Sequence, residues 1–163
     1  MQASTSDGKI GCIGKCTIGI SCSELDKITD SIYTTLGHPK GRQIFRKYLQ
    51  KSELRDNVEC FDIYLACREL ASKLSSSTSD TFVEELKDDF CKIKEMLEDL
   101  DGISHIDLQL LKSYDEALSS NSRTAMLELL EDTKERLCKH LKTVHKSFKS
   151  YALEPCPLTK YCN

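Results

Sequence analysis

An all-α bundle, wrapped around one central buried helix, is the fold this sequence predicts, and three observations carry the prediction. No segment shows the strict apolar–polar alternation of a strand. Apolar residues instead recur three and four apart in stretch after stretch from Leu25 to Tyr151. The run from Cys60 to Cys67 is apolar nearly all round, and a helix of that kind belongs in the middle of a bundle. At 163 residues a single domain is expected, long enough to bury about two-thirds of the surface its unfolded chain exposes.

In chain order, residues 1–22 read as a flexible arm, first polar and then rich in Gly, Ile and Cys. Ser23 is a good N-cap with Asp26 three residues on, and Leu25, Ile28, Ile32 and Leu36 follow at helical spacing. Gly37 ends that helix and Pro39 blocks its continuation. A second helix is expected from Arg42 to about Gln50, with Ile44, Phe45, Tyr48 and Leu49 on one side. A charged loop, Lys51 to Asn57, leads into the central helix, expected from about Val58 to Leu74. Beyond the polar linker 75–79, with Ser79 or Asp80 as cap, Phe82, Leu86, Phe90, Ile93, Leu97 and Leu100 form a clean stripe. Asp101-Gly102 is a turn, and Ser104 caps a shorter helix carrying Leu108, Leu111, Tyr114 and Leu118. From Arg123 to Tyr151 there is neither Gly nor Pro, so this stretch reads as one long helix or several short ones. Pro155 and Pro157 end the helical chain, which gives a domain over residues 23–153 and a loose tail over 154–163.

Composition excludes several function classes. Charged residues make up 30% of the chain, but the signs are mixed and the net is −3, a soluble surface rather than a nucleic-acid footprint. No window approaches the length of a membrane-spanning helix, and the N-terminus lacks the basic start and apolar core of a signal peptide. Nine cysteines, an odd number with Cys60, Cys67, Cys91 and Cys138 inside helical patterns, point to buried thiols in a reducing, cytoplasmic compartment. Cys12, Cys16 and Cys22 do not make the C-x-x-C pairs of a zinc site; Cys12 and Cys16 are candidates for acylation, which would hold the protein peripherally at a membrane. His38, His105, His140 and His145 have no metal or triad context, and no glycine run cradles phosphate. No catalytic residue, metal or cofactor is expected, and binding of a protein partner is the reading that remains.

Three runs give that partner a character: Gly37-His38-Pro39-Lys40-Gly41-Arg42, Ile44-Phe45-Arg46-Lys47-Tyr48-Leu49, and Ile63-Tyr64-Leu65-Ala66-Cys67-Arg68-Glu69-Leu70. They resemble the "HP.G...F..FL" and "FWLAC..F" runs of the regulator-of-G-protein-signalling (RGS) family. The resemblance implies an RGS-like multi-helix bundle, in which Arg123 to Tyr151 breaks into two or three helices. It implies a protein partner, a Gα subunit or a signalling peptide. An RGS domain supplies no general base and no arginine finger; it preorganises the hydrolytic residues of Gα itself. The docking surface of the family is three loops at one end of the bundle. Here they fall near Glu53 to Cys60, Asp101 to Asp107, and Thr143 to Phe148. The resemblance therefore makes Glu53, Asp56, Asn57, Glu59, Cys60, Asp101, His145 and Lys146 the candidate partner-binding residues.

The chain also departs from the family pattern. The family's Glu-Asn pair falls on Glu59-Cys60, so its Asn is absent, and Asn57 lies three residues earlier. The "DSYPRFL" run aligns with Val144 to Phe148 without its Asp and Arg. These departures resemble the non-activating RGS-homology domains of axin scaffolds, receptor kinases and sorting nexins; the axin domain binds a peptide of the adenomatous polyposis coli protein. The expectation is an intracellular binding module with weak or no GTPase activation. Two alternatives stand beside it. One is a working activator that uses Glu53, Asp56 or Asn57; the other is an unrelated helical bundle, favoured if the central helix lay on the outside.

Overall fold

The structure, a computed structural model, describes residues 19–76, 80–100 and 102–154. All regular structure among them is helical: α1 (Cys22–Ile28), α2 (Ile32–Gly37), α3 (Pro39–Lys51), α4 (Arg55–Ser76), α5 (Asp80–Glu98), α6 (Leu108–Ser120) and α7 (Arg123–Leu153). Most of the expected N-terminal arm, the Ser79 cap and the tail from Pro155 lie outside the described residues. The chain divides into two compact units, residues 1–58 with 141–163, and residues 59–140.

In the first unit, the helix expected from Ser23 to Gly37 is two helices. Thr29 turns its side chain back on α1, its Oγ1 donating to the carbonyl of Leu25 at 2.8 Å. Ser31 then opens α2 with a capping box. Its Oγ accepts from the Thr34 N–H at 3.2 Å, and the Thr34 Oγ1 accepts from the Ser31 N–H at 3.0 Å. The actual N-cap of α1 is Ser21, which accepts from the Glu24 N–H. Pro39 does more than block a helix: it occupies the first position of α3, where its missing N–H costs nothing, so α3 starts three residues ahead of the expected Arg42. His38 caps that start, its Nδ1 accepting from the Lys40 N–H at 3.1 Å. Gly41 sits where a Cβ would run into the Thr35 carbonyl and the Ile28 side chain, so only glycine lets α3 pass this close to α2. Phe45 and Tyr48 of α3 meet Phe148 edge to face at 4.9 and 5.6 Å, and all three rings are buried.

In the second unit, no residue from Cys60 to Cys67 is exposed, as a central helix requires. Within that run Leu65 is only half-buried, whereas Ile63 is 2% exposed. The central helix runs from Arg55 to Ser76, longer than expected at both ends, and the charged loop before it shrinks to residues 52–54. Phe90 of α5 stacks on Tyr114 of α6 at 4.7 Å. Tyr114 is fully buried and spends its hydroxyl on Thr133. Thr133 in turn donates to the Leu129 carbonyl at 2.7 Å, so the Tyr114 hydroxyl is the donor of the pair. Asp107 rather than Ser104 caps α6, its Oδ1 accepting from the Leu110 N–H at 2.9 Å. The final stretch is one unbroken helix, α7, and not the two or three shorter ones that the RGS resemblance implies. No disulfide joins Cys22, Cys60, Cys67, Cys91 and Cys138, and burial pushes Cys67 up to about 12, so it stays protonated.

Candidate protein-docking site

The first candidate loop is the α3–α4 junction. Here α3 ends in a Schellman motif: the Leu54 N–H donates to the Leu49 carbonyl and the Glu53 N–H to the Gln50 carbonyl, both at 3.1 Å. That closure requires a left-handed residue at Glu53, which has φ +57°. Glycine is the usual occupant because a Cβ is unfavourable in this conformation. The exposed Glu53 thus sits on a strained turn, beside a groove lined by Leu49, Gln50, Leu54, Arg55 and Val58. Asp56 is exposed in the first turn of α4, where the helix dipole favours a negative charge. Asn57 is half-buried, and its Oδ1 is enclosed without a hydrogen-bond partner, as is the Ser52 Oγ. Glu59 is exposed. Cys60 is 0% exposed and turns into the core, which corrects its assignment as a contact residue. An apolar thiol at that helix position is more stable inside than out.

The second loop, residues 102–107, belongs to the second unit and is held by Arg136 of α7. Arg136 donates from Nη1 to the His105 carbonyl at 3.0 Å and from Nε to Asp132 at 3.1 Å, and it lies 3.5 Å from the Asp107 carboxylate. The Leu110 N–H, and then Arg136, hold the Asp107 carboxyl below its usual range. Ile103 plugs the loop into the core. Leu108, the residue after the cap, is 67% exposed. Spacing alone places it on one helix with Leu111, Tyr114 and Leu118. The overlooked signal is its place at the first position of a helix whose apolar face begins at Leu110. Asp101 lies outside the described residues, as do Cys12 and Cys16.

The third expected loop is not a loop. Thr143 to Phe148 are turns of α7 in the first unit, and this places two of the candidate residues oppositely. Lys146 is exposed. His145 is buried, its Nε2 2.8 Å from the Thr35 Oγ1, with its ring against Phe45 and Phe148. The Thr35 hydroxyl donates its single proton to the Ile28 carbonyl at 2.8 Å, so His145 must be the donor and carries its proton on Nε2. Burial, and then the nearby Lys149, push His145 down to about 4, and it is neutral at physiological pH. A neutral, buried, hydrogen-bonded histidine is a core residue, which removes His145 from the contact surface.

Among the described residues no three His, Cys, Asp or Glu side chains gather as a metal site, and no helix is long and apolar enough to cross a membrane. The Glu53, Asp56 and Glu59 carboxylates, Leu108 and the Lys146 ammonium are exposed. The family model of the regulator of G protein signaling domain matches residues 31–155. The chain belongs to the RGS family. Comparison with curated proteins and with solved structures gave no match.

The RGS motif now has a physical reading. In this RGS domain the His-Pro-x-Gly run is a helix start: His38 caps, Pro39 opens, and Gly41 permits close passage. The reading of the chain as an unrelated bundle falls with the match, which extends through the whole of α7. As an RGS domain the chain is a protein-interaction domain of G-protein signalling.

Proposed function

We propose that this RGS domain is a binding module for a Gα subunit or a signalling peptide, with weak or no activation of GTP hydrolysis. One observation carries the reading. The position that aligns with the contacting Asn of the family is Cys60, and its side chain is fully buried. A thiol facing the core offers no amide to the Gα glutamine, so the transition-state contact is missing. On the first unit docking then rests on Glu53, Asp56 and Lys146, and on the second unit on Glu59.

A second reading, a working activator, has its own support at the α3–α4 junction. The Asn57 amide lies about one turn before the aligned position, and its Oδ1 is unpaired. Rotation of that side chain on docking would present an amide to the partner.

Single-turnover GTP hydrolysis by a panel of Gα subunits separates the two readings, together with capture of the aluminium-fluoride form. Binding with less than twofold acceleration supports the module. Strong acceleration that is lost in Asn57→Ala supports the activator. Absence of both binding and acceleration with every Gα removes Gα as the partner and directs the search to peptides.

A further inference from the structure

The net charge of −3 conceals a separation between the two units. Residues 1–58 with 141–163 carry thirteen Lys and Arg against seven Asp and Glu. Residues 59–140 carry ten against nineteen. Within the first unit the excess is concentrated on helices. From Leu141 to Leu153 there is no carboxylate, and none interrupts residues 31–52 either.

On α7 the cations form a stripe. Lys142, Lys146, Lys149 and Leu153 are spaced four, three and four residues apart, which puts them on one face of the helix. The stripe is about 17 Å long at the helical rise of about 1.5 Å per residue. Lys142 and Lys146 are exposed, and Lys146 has no ion-pair partner among the described residues. Lys149 is 3.8 Å from Asp30, a pair open to water on both sides and correspondingly weak. The Lys142 ammonium lies 5.1 Å from the ring centre of Tyr33, itself 43% exposed. Leu153, at the other end, is also 43% exposed. The stripe thus runs between an amphipathic aromatic ring and an aliphatic side chain.

We propose that this face of the first unit docks on an anionic lipid bilayer. The reading goes beyond partner binding by the RGS domain and does not depend on which partner that is. Mobile lipid headgroups meet cations at any spacing, and the lysine stems lie along the interface while their ammonium groups meet phosphate and carboxylate. Tyr33 and Leu153 suit the boundary between headgroups and acyl chains, where an aromatic ring with a polar tip and a short aliphatic side chain both gain. A nucleic-acid backbone would use the lysines but leave Leu153 without a role. Three lysines and two apolar contacts give weak, reversible, salt-sensitive binding rather than anchoring.

The test is cosedimentation of the full chain with vesicles of phosphatidylcholine alone and with about a third phosphatidylserine, at low and high salt. Binding to the anionic vesicles only, falling steeply with salt, is the expected result. Each lysine near such a surface contributes about a fivefold factor, so the double variant K142Q/K146Q is expected to lose about 25-fold in partitioning. Both residues are solvent-facing, and an unchanged thermal transition shows that the variant is folded. Y33S/L153S keeps every charge and is expected to weaken binding to the same vesicles. Equal partitioning to both vesicle types overturns the proposal, as does wild-type binding by the double variant. Self-association or RNA binding that needs the same lysines, with no lipid binding, overturns it in favour of those partners. A gain or loss of Gα binding reads the proposed partner alone, because that assay contains no lipid.

Discussion

Gly41 is tied to its neighbours by space rather than by turn geometry. Alanine is the better helix former, so propensity alone predicts that Gly41→Ala stabilises α3 by about 1 kcal/mol. The Thr35 carbonyl and Ile28 leave no room for the added methyl, and a backbone carbonyl cannot move aside cheaply. Gly41→Ala is therefore expected to destabilise by about 1–3 kcal/mol in urea unfolding, and an unchanged or raised midpoint would contradict the close passage. His145 gives a second test at this scale. Its pKa is about 4 in the folded protein against about 6.5 in the unfolded chain. The unfolded chain therefore takes up the proton first as pH falls. The stability from neutral His145 is complete above about pH 6.5 and drains away as pH drops toward 4. The urea midpoint is expected to fall over that window, and the fall should be shallower in His145→Gln. Parallel slopes for the two proteins would show that His145 titrates normally.

At the scale of an element, the α3–α4 junction conflicts with itself. Its hydrogen bonds ask for glycine, and the chain supplies Glu53. Glu53→Gly is expected to raise stability by about 0.5–1 kcal/mol, read as a higher thermal midpoint. If Glu53 is a docking residue, the same substitution weakens partner binding, so stability and affinity move in opposite directions. A substitution that lowers stability would show that the Glu53 side chain contributes more than its backbone costs. α7 shows how an element departs from its family pattern without strain. Nothing in Arg123 to Leu153 breaks a helix: there is no Gly and no Pro, and buried Leu137, Leu141, Phe148 and Ala152 hold its inner side. Continuity of this helix is what turns His145 inward and Lys146 outward.

For the whole molecule, the residues that hold the fold and those assigned to docking should separate cleanly. Phe45 is fully buried and Ile63 nearly so, whereas Glu59 is exposed. Phe45→Ala is expected to cost about 3–5 kcal/mol and Ile63→Ala about 2–5 kcal/mol. Glu59→Ala and Asn57→Ala should leave stability within about 0.5 kcal/mol while lowering partner affinity. The Asn57 change removes an enclosed, unpaired oxygen, which also argues against a loss. Chemical denaturation and partner titration on the same four variants would check this, and equal mild effects at all four would contradict the layout. The same separation applies to charge. The sum of −3 describes neither unit, and each is expected to meet partners according to its own sign.

What the sequence determined by itself follows from local order. Spacing of three and four gave the helices, the all-round apolar run gave α4 its central place, and the His-Pro-x-Gly and Leu-Ala-Cys runs gave the RGS family. These signals lie within a few residues of one another, and a helix is a local object. The tertiary structure decided what depends on distant groups. The break at Thr29 is stabilised by a capping box and by contacts around Ile28 that spacing cannot show. Asp107 cooperates with Arg136, far along the chain. His145 finds Thr35 across 110 positions, and Cys60 reads as surface or core only when its neighbours are in place. Burial is a property of surroundings, and a side chain acquires its surroundings only when the chain has folded.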